Sequence, residues 1–391
     1  MNIEQLFLLI KNFVRTDFGI ALLITVSWKI LLLAIGYFID ASSNGASGIL
    51  SHTMHWDAGW YTLIINDHYK NIPVSAVFYP LFPLLVGALH FVSFGFIDVP
   101  LSGQIINTVA VWFALTALLK IGKELLGTTN QYWLIALFLT APAAFFLHTF
   151  YSEAVFVALA FWAYVFALKR NWLAVGILLA ILTASRLPAI LIVGLCGLEY
   201  LRSYNWDIKK SLNKKMLYFL LSPLGFIAYG LYLHFIQNNA FEMFSAYRLD
   251  NDWTYQIFNP NIVETIARGG YQIIRAIAGA RPFDNDLIIG NLFPFVSLIV
   301  LALASLYLIF KAKGKYLPIG IVGLLSIIMF TLNNNLVSVH RYVLPCLAIY
   351  IALFLIAKGR FKKPLLTSFC LVGITGQFYL YWLFVNTVFA G

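Results

Sequence analysis

One acidic residue lies in an aromatic patch near the beginning of the chain. Asp57 follows His55 and Trp56 closely in the sequence. Trp60 and Tyr61 come three and four residues after it, a spacing that places these side chains on one face of a helix. An aromatic, partly desolvated setting raises the pKa of a carboxyl group, which suits a general base. A second interpretation stays open, in which the patch is an aromatic belt at a membrane surface and Asp57 caps a helix.

The composition places this patch in a membrane protein. Of the 391 residues, 61% are apolar and 11% are charged, against about 25% charged residues in soluble proteins. The apolar residues form runs of roughly 18 or more, long enough to cross a hydrocarbon core of about 30 Å. The net charge of +10 comes from Lys and Arg in short loops between these runs. Basic loops in these positions orient the chain in the membrane and hold it against anionic lipid. We therefore expect membrane lipid as a partner and no nucleic acid.

The basic loops predict the topology of a single polytopic transmembrane domain over residues 1–391. If each basic loop faces the cytoplasm, the chain crosses the membrane an even number of times between successive loops. About eleven spans satisfy this rule, near residues 18–39, 100–119, 132–149, 153–168, 172–185, 188–201, 216–236, 286–310, 316–332, 342–357 and 365–388. The polar segments then share the outer side, chiefly in a first outside loop, 40–99, and a large outside loop, 237–285. Because polar groups at membrane depth are costly, we expect them to face a common cavity.

The same rule leaves the apolar stretch 79–97 without a full crossing. A crossing there would place Lys120 and Lys123 outside, so we interpret the stretch as a helix in the outer interface. The alternative is a true span with two misplaced lysines. The first apolar run, Phe18 to Ile39, resembles a signal peptide, but its core exceeds the roughly 7 to 15 residues of such a segment. We expect a retained span.

The loop 237–285 predicts an amphipathic helix on the outer surface. Asn259 and Pro260 suit its N-cap and first position, and Arg268 and Arg275 share one face. The opposite face carries the isoleucines at 262, 266, 273 and 277. Anchoring at the membrane surface and gripping of a lipid phosphate are both open interpretations.

An aspartate pair precedes that helix in the same loop. Asp250 and Asp252 form a D-x-D motif, which can hold a metal ion bound to a nucleotide sugar. The predicted topology places this motif outside, where nucleotide sugars are absent. We therefore expect no metal and no cofactor.

Several strings in the chain together carry a resemblance to a known family. HWDAGWYTLIINDHY at 55–69 and AVFYPLFPLL at 76–85 resemble the first-loop signature of the PIG-V-type mannosyltransferases. FYSEAVF at 150–156, SRLPAILI at 185–192 and HRYVLPCLAIY at 340–350 follow in the family's order. The first signature is specific, and the later strings support it jointly. The family belongs to the multi-spanning GT-C class of glycosyltransferases, which use polyprenyl-phosphate sugars.

The resemblance implies a fold and a reaction. The fold is an all-α GT-C-type bundle with interfacial helices in the first outside loop. The reaction is inverting transfer of a sugar, mannose in the family, from a polyprenyl-phosphate donor to a hydroxyl of a glycan, glycolipid or protein acceptor on the outer face. Asp57 is then the catalytic base. The substrate-binding residues in the first loop are His55, Trp56, Trp60, Tyr61 and Tyr79.

The later strings supply further substrate-binding residues. The departing phosphate needs positive charge, which Arg186, His340 and Arg341 can provide, although each arginine can instead extend to lipid headgroups. Glu153 can orient sugar hydroxyls or pair with an arginine. As an acid at a helix start, Glu153 can also stabilise the helix dipole. For Tyr151, likewise, both a substrate-binding and a structural role stay open.

The chain also departs from the family pattern. His55 replaces an arginine, Asp67 and His68 replace a small residue and a glycine, and Leu187 interrupts an Arg-Pro pair. These differences bear on the substrate more than on the class, and the length resembles prokaryotic members. Transfer of another lipid-linked sugar or a longer glycan is the alternative within the class. A flippase for lipid-linked sugars is the alternative outside it, although such transporters place polar groups at the bilayer midplane and show internal repeats.

Overall fold

A computed structural model describes residues 5, 12–43, 45, 48–70, 72–248 and 260–391. Throughout these residues all regular structure is helical, which confirms the expected all-α class. The D-x-D pair of Asp250 and Asp252 and the predicted cap Asn259 lie outside the described residues.

Fourteen helices build the described part of the chain, together with shorter helical turns. They are α1 (Asp17–Ser43), α2 (Asp57–Asp67), α3 (Leu81–Val92), α4 (Val99–Leu126), α5 (Gln131–Leu139), α6 (Glu153–Leu168), α7 (Trp172–Leu182), α8 (Ala189–Ser203), α9 (Leu224–Gln237), α10 (Ile262–Ile277), α11 (Phe293–Tyr307), α12 (Leu317–Thr331), α13 (Leu347–Ile356) and α14 (Lys362–Val385). One of the turns, Val339–Tyr342, precedes α13.

The helices make the chain a membrane-embedded protein. In the described residues, six helical segments are long and apolar enough to cross a membrane: Asp17–Ser43, Val99–Leu126, Lys214–Gln237, Asn285–Ala312, Gly314–Thr331 and Gly359–Val385. Helices α3, α6, α7 and α13 are apolar but shorter. The count of about eleven spans stays a prediction.

The segment expected as one span near 132–149 is not a continuous helix. Helix α5 ends at Leu139, and a 3-10 turn at Ala144–Leu147 follows. Pro142 explains the break, since proline has no N–H for a helical hydrogen bond and disfavours the helical conformation of the residue before it. The irregular segment that results leads directly to Tyr151 and Glu153.

Helix α3 has the length and surface of an interfacial helix. Its 12 residues extend over about 18 Å, which is less than the roughly 30 Å of a hydrocarbon core. Phe82 and Val86 are buried against the bundle, whereas Leu84 and Phe91 are exposed on the other side. This geometry favours the interfacial interpretation of residues 79–97.

Helix α4 is the central element of the bundle and packs against α1, α3, α5 and α6. Gly103 lets the segment before α6 approach it closely, because a Cβ atom there would lie 2.3 Å from the ring of Phe150. Phe150 is the residue before Tyr151 in the chain. The close packing on α4 therefore positions a segment that carries predicted site residues.

Helix α10 confirms an amphipathic helix in the second large loop, but its start differs from the prediction. Asn261 occupies the N-cap position and the helix begins at Ile262, so the expected start at Pro260 is two residues early. Thr265 donates a hydrogen bond to the Asn333 carbonyl at 2.9 Å, which docks the helix beside the segment that precedes the Val339–Tyr342 turn. Arg268 pairs with Glu264 on the exposed surface of the helix.

Candidate active site

Four charged side chains from separate parts of the sequence form one chain of ion pairs. An Nη atom of Arg341 lies 2.9 Å from an Asp57 carboxylate oxygen, and its Nε lies 2.8 Å from Glu153. Arg186 contacts the same Glu153 oxygen. The order of contacts is Asp57, Arg341, Glu153, Arg186, so two carboxylates alternate with two guanidinium groups. The structure thus brings together the predicted base and three of the predicted substrate-binding residues.

Helix starts and turns position these four groups. Asp57 begins α2 and Glu153 begins α6. Arg186 lies in the turn between α7 and α8, and Arg341 lies in the Val339–Tyr342 turn. The arrangement matches the expectation that the polar segments between the spans face a common space.

A cavity of about 630 Å³ opens beside the ion-pair chain. Asp57, Arg186 and Arg341 line it, whereas Glu153 does not. Glu153 is only 4% exposed and contacts both arginines, so it holds the two guanidinium groups from behind. The remaining wall comes from Trp56, Trp60, Tyr61, Val77, Phe78, Tyr79, Ser185, Leu187, Pro188, Tyr247, Met329, Phe330, Asn333, Val337, Ser338, Tyr342, Phe389 and Gly391.

Burial controls the ionisation of the Asp57 carboxyl. Desolvation raises the pKa of Asp57, the positive charge of Arg341 opposes that rise, and the negative charge of Glu153 adds to it. The net direction is upward, as expected for a proton acceptor near neutral pH. Burial alone would lower the pKa of Arg341, but the charges of Glu153 and Asp57 outweigh it and hold the guanidinium protonated.

Tyr151 fixes the backbone around Asp57. Its hydroxyl accepts a hydrogen bond from the Asp57 N–H at 3.2 Å and donates one to the His55 carbonyl at 3.3 Å. Between those residues Trp56 adopts φ 55° and ψ −114°. A residue with a side chain is strained in this region, at a cost of roughly 1–3 kcal/mol, and such strain is concentrated at functional sites. The Tyr151 hydroxyl thus helps to hold Asp57 at the cavity wall.

Aromatic rings form the wall next to Asp57. The ring of Trp60 stacks on Phe78 with centroids 5.7 Å apart. The Tyr61 hydroxyl donates to Ser152 at 2.8 Å. Trp56 is 44% exposed, so much of its ring is open to a ligand. The predicted aromatic residues Trp56, Trp60 and Tyr61 therefore all reach the cavity.

Two predicted histidines do not line the cavity. The ring of His55 packs edge-on against Phe384, with centroids 5.5 Å apart. His340 Nε2 donates to the Ala390 carbonyl at 2.8 Å. Burial lowers the pKa of His340 to about 4, with the nearby Arg341 charge in the same direction, so the ring is neutral at physiological pH. The positive charge at the cavity comes instead from the two arginines.

Polar side chains inside two predicted spans support the site, and they were not among the predicted site residues. Lys29 of α1 donates to the carbonyl of residue 147 at 3.1 Å. From α4, Gln104 donates to the carbonyl of residue 148 at 2.7 Å, and Asn107 to those of residues 149 and 151 at 2.7 and 3.2 Å. Irregular backbone at membrane depth is tolerated only when its polar groups are satisfied in this way. Buried polar residues within apolar runs were the signal available in the sequence.

Direct contacts also join the two segments that carry the acids. The Phe150 N–H donates to the Thr53 carbonyl at 3.1 Å. The Nε2 atoms of His52 and His148 lie 3.4 Å apart. Because one segment leads into Asp57 and the other into Glu153, these contacts set the separation of the two carboxylates.

Two comparisons of the sequence with known proteins find no relative. A scan against protein-family models and a search of the curated proteins both find no match to the chain. In the described residues, no group of three or more His, Cys, Asp or Glu side chains is arranged to hold a metal ion. The family resemblance of the motifs stays a prediction.

Proposed function

We propose that the chain is an inverting GT-C-type glycosyltransferase. It moves a sugar, mannose by the family resemblance, from a polyprenyl-phosphate carrier to an acceptor hydroxyl. The observation that carries this proposal is the Asp57 carboxylate beside two arginines, Arg186 and Arg341, on the wall of one 630 Å³ cavity. A base and a paired cationic site are the two groups that this reaction requires.

The chemistry needs no general acid. The acceptor oxygen attacks the anomeric carbon from the face opposite the phosphate, and the bond from that carbon to the phosphate oxygen breaks. The polyprenyl phosphate leaves with the bonding electrons, and Asp57 takes the proton of the acceptor hydroxyl. Inversion follows from the single displacement, through an oxocarbenium-like transition state like that of inverting glycosidases. A positioned base of this kind contributes about 10²–10⁴-fold to the rate.

The arginines suit the departing phosphate. Guanidinium groups bind phosphate through charge-assisted hydrogen bonds. The three nitrogens of Arg341 already contact Asp57, Glu153 and the Gly391 carbonyl. Direct hydrogen bonds to the phosphate therefore fall mainly to Arg186. Glu153 contacts both arginines without lining the cavity, which supports a role in positioning them. This positioning role replaces the predicted direct contact of Glu153 with sugar hydroxyls.

The walls of the cavity suit a sugar carried by a lipid. Trp56 and Trp60 supply flat apolar surfaces for the C–H face of a sugar ring. Met329 and Phe330 belong to α12, which is part of a candidate membrane span. A cavity that reaches such a span lets a prenyl chain stay in the bilayer while its phosphate lies at the two arginines. The placement of the basic loops favours an active site on the extracytoplasmic face. The length of the chain, which resembles that of prokaryotic members of the family, favours a prokaryotic plasma membrane.

The proposal is tested with purified protein reconstituted in liposomes. We expect labelled sugar to pass from polyprenyl-phosphate mannose to acceptors in a membrane extract, with inversion at the anomeric carbon. Movement of the intact labelled lipid between leaflets, without transfer, would identify a flippase instead. Absence of both activities with a panel of polyprenyl-phosphate sugars would contradict the proposal.

The pH dependence of transfer should report the Asp57 carboxyl. The base must be ionised, so activity is present above its pKa and is lost as the pH falls through it. Burial raises that pKa and Arg341 holds it down, so Arg341→Gln should move the acidic limb of the profile to higher pH. The measurement is kcat/KM against pH for the residual activity of the variant.

The control for this shift is Arg268→Gln, which removes an exposed arginine on α10 that pairs with Glu264. Its acidic limb should coincide with that of the wild type. A limb that stays in place or moves to lower pH in Arg341→Gln would contradict the assignment of Asp57 as the base.

A further inference from the structure

One tyrosine of the cavity wall has a buried hydroxyl without a partner among the described residues. Tyr79 lines the cavity and is 6% exposed. Its hydroxyl lacks a hydrogen bond to any residue that the structure describes. Buried polar groups in folded proteins are almost always hydrogen-bonded, so an exception requires an explanation. At a cavity wall, a bound ligand can supply the missing partner.

Two neighbouring tyrosines, by contrast, have bonded hydroxyls. The Tyr229 hydroxyl donates to the Ala76 carbonyl and the Tyr69 hydroxyl to the Phe78 carbonyl, each at 2.7 Å. Neither Tyr69 nor Tyr229 lines the cavity. The Tyr79 ring packs on that of Tyr229 with centroids 5.1 Å apart, which restricts its orientation. Of these three tyrosines, only Tyr79 lines the cavity, and only its hydroxyl lacks a partner among the described residues.

The backbone ties Tyr79 to the cationic side of the site. The N–H of Leu81, two residues after Tyr79, donates to the Ala184 carbonyl at 3.2 Å. Ala184 lies two residues before Arg186. The segment that carries Tyr79 is therefore joined to the turn that carries Arg186. If a donor phosphate binds at Arg186, the sugar attached to it is the part of the donor that can reach Tyr79.

We propose that the Tyr79 hydroxyl recognises a hydroxyl group of the transferred sugar and so determines sugar specificity. This inference rests on the proposed function for the identity of the donor. The phenol hydroxyl can donate one hydrogen bond and accept another, which suits a sugar hydroxyl. The aromatic rings of Trp60 and Phe78 beside it form an apolar surface for the ring of the sugar.

Equilibrium binding tests this role without requiring turnover. The probe is radiolabelled polyprenyl-phosphate mannose bound to the detergent-purified full chain, with its monodeoxy analogues as competitors. For the wild type, we expect one analogue to bind about tenfold more weakly than the parent donor. Tyr79→Phe should bind the parent about tenfold more weakly and should bind that analogue and the parent equally.

A matched control separates recognition from stability. Tyr79→Phe removes a hydroxyl that has no partner in the described part of the chain, so its melting temperature should equal or exceed that of the wild type. Tyr229→Phe removes a hydroxyl that is bonded to Ala76, so it should melt at a lower temperature while keeping the wild-type ranking of the analogues. The opposite pattern would mean that Tyr79 serves stability alone.

The outcomes distinguish this inference from the proposed function. If Tyr79→Phe ranks every monodeoxy analogue as the wild type does, the hydroxyl is satisfied by water and the inference is wrong. If no donor competes, both the inference and the proposed function are wrong. If binding depends on Tyr79 as expected but no sugar is transferred, the sugar subsite stands and the transferase does not.

Discussion

Replacement of Asp57 by asparagine should reduce sugar transfer by about 10²–10⁴-fold, because the variant loses the group that accepts the proton. The amide has nearly the shape of the carboxyl but no basic oxygen with a raised pKa. Binding of the donor should change little, since Arg186 and Arg341 remain on the cavity wall. The measurement is kcat for transfer from polyprenyl-phosphate mannose, with donor affinity determined separately.

Asp67→Asn is the matched control for this variant. Asp67 ends the same helix, α2, and does not line the cavity. The control should keep the wild-type kcat. A loss below tenfold in Asp57→Asn would contradict the base assignment, because a residual rate so high requires another acceptor for the proton.

Replacement of Glu153 by glutamine should produce the largest loss of stability. Glu153 is 4% exposed and is the only acid shared by Arg186 and Arg341 among the described ion pairs. Removing one partner of a buried ion pair leaves an uncompensated charge, which costs about 3–5 kcal/mol in the free energy of unfolding. Denaturant titration of the protein in detergent micelles measures that free energy. A loss below about 1 kcal/mol would show that water or lipid compensates the arginines.

A double variant separates charge from packing in this prediction. Glu153→Gln combined with Arg186→Gln restores the balance, since Arg341 and Asp57 then remain as one pair. It should recover part of the stability that Glu153→Gln loses, which is a measurable coupling between neighbours. Glu199→Gln is the control: Glu199 is buried, but its partner Arg202 is 29% exposed and can turn to solvent when freed.

The two variants together distinguish the parts of the site. Asp57 is 17% exposed at the cavity, so Asp57→Asn should affect the rate far more than the stability. Glu153 lies behind the arginines, so Glu153→Gln should affect stability and donor affinity through their displacement. An acid that contacted the sugar directly would affect the rate with less effect on folding.

The first-loop motif shows how far local patterns reach. Hydropathy and charge placement predicted a helical membrane protein, and the spacing of Asp57, Trp60 and Tyr61 predicted a shared helical face. All three line the cavity. Counting the crossings between basic loops predicted an interfacial helix at 79–97, and the length of α3 favours it. These features depend on nearby residues and on the energetic cost of polar groups in lipid, and both can be read from the chain itself.

The partners of the charged groups could not be predicted in the same way. The sequence predicted His340 and Arg341 alike as phosphate-binding residues. In the structure, Arg341 reaches Asp57, whereas His340 donates to the Ala390 carbonyl. Likewise, nothing in the string around Glu153 indicates that it lies behind two arginines. Adjacent residues on a helical turn point in different directions, and the packing of distant helices determines which of them meets the cavity.

By itself, the sequence determined the class of the protein, the aromatic motif around Asp57 and the segments from which a site could form. Only the tertiary structure decided the order of the ion pairs, the support of residues 147–151 by Lys29, Gln104 and Asn107, and the unsatisfied hydroxyl of Tyr79. The physical reason is range. Periodicity and transfer energies act over a few residues, whereas hydrogen bonds and ion pairs join whichever groups the packed helices bring within about 3 Å.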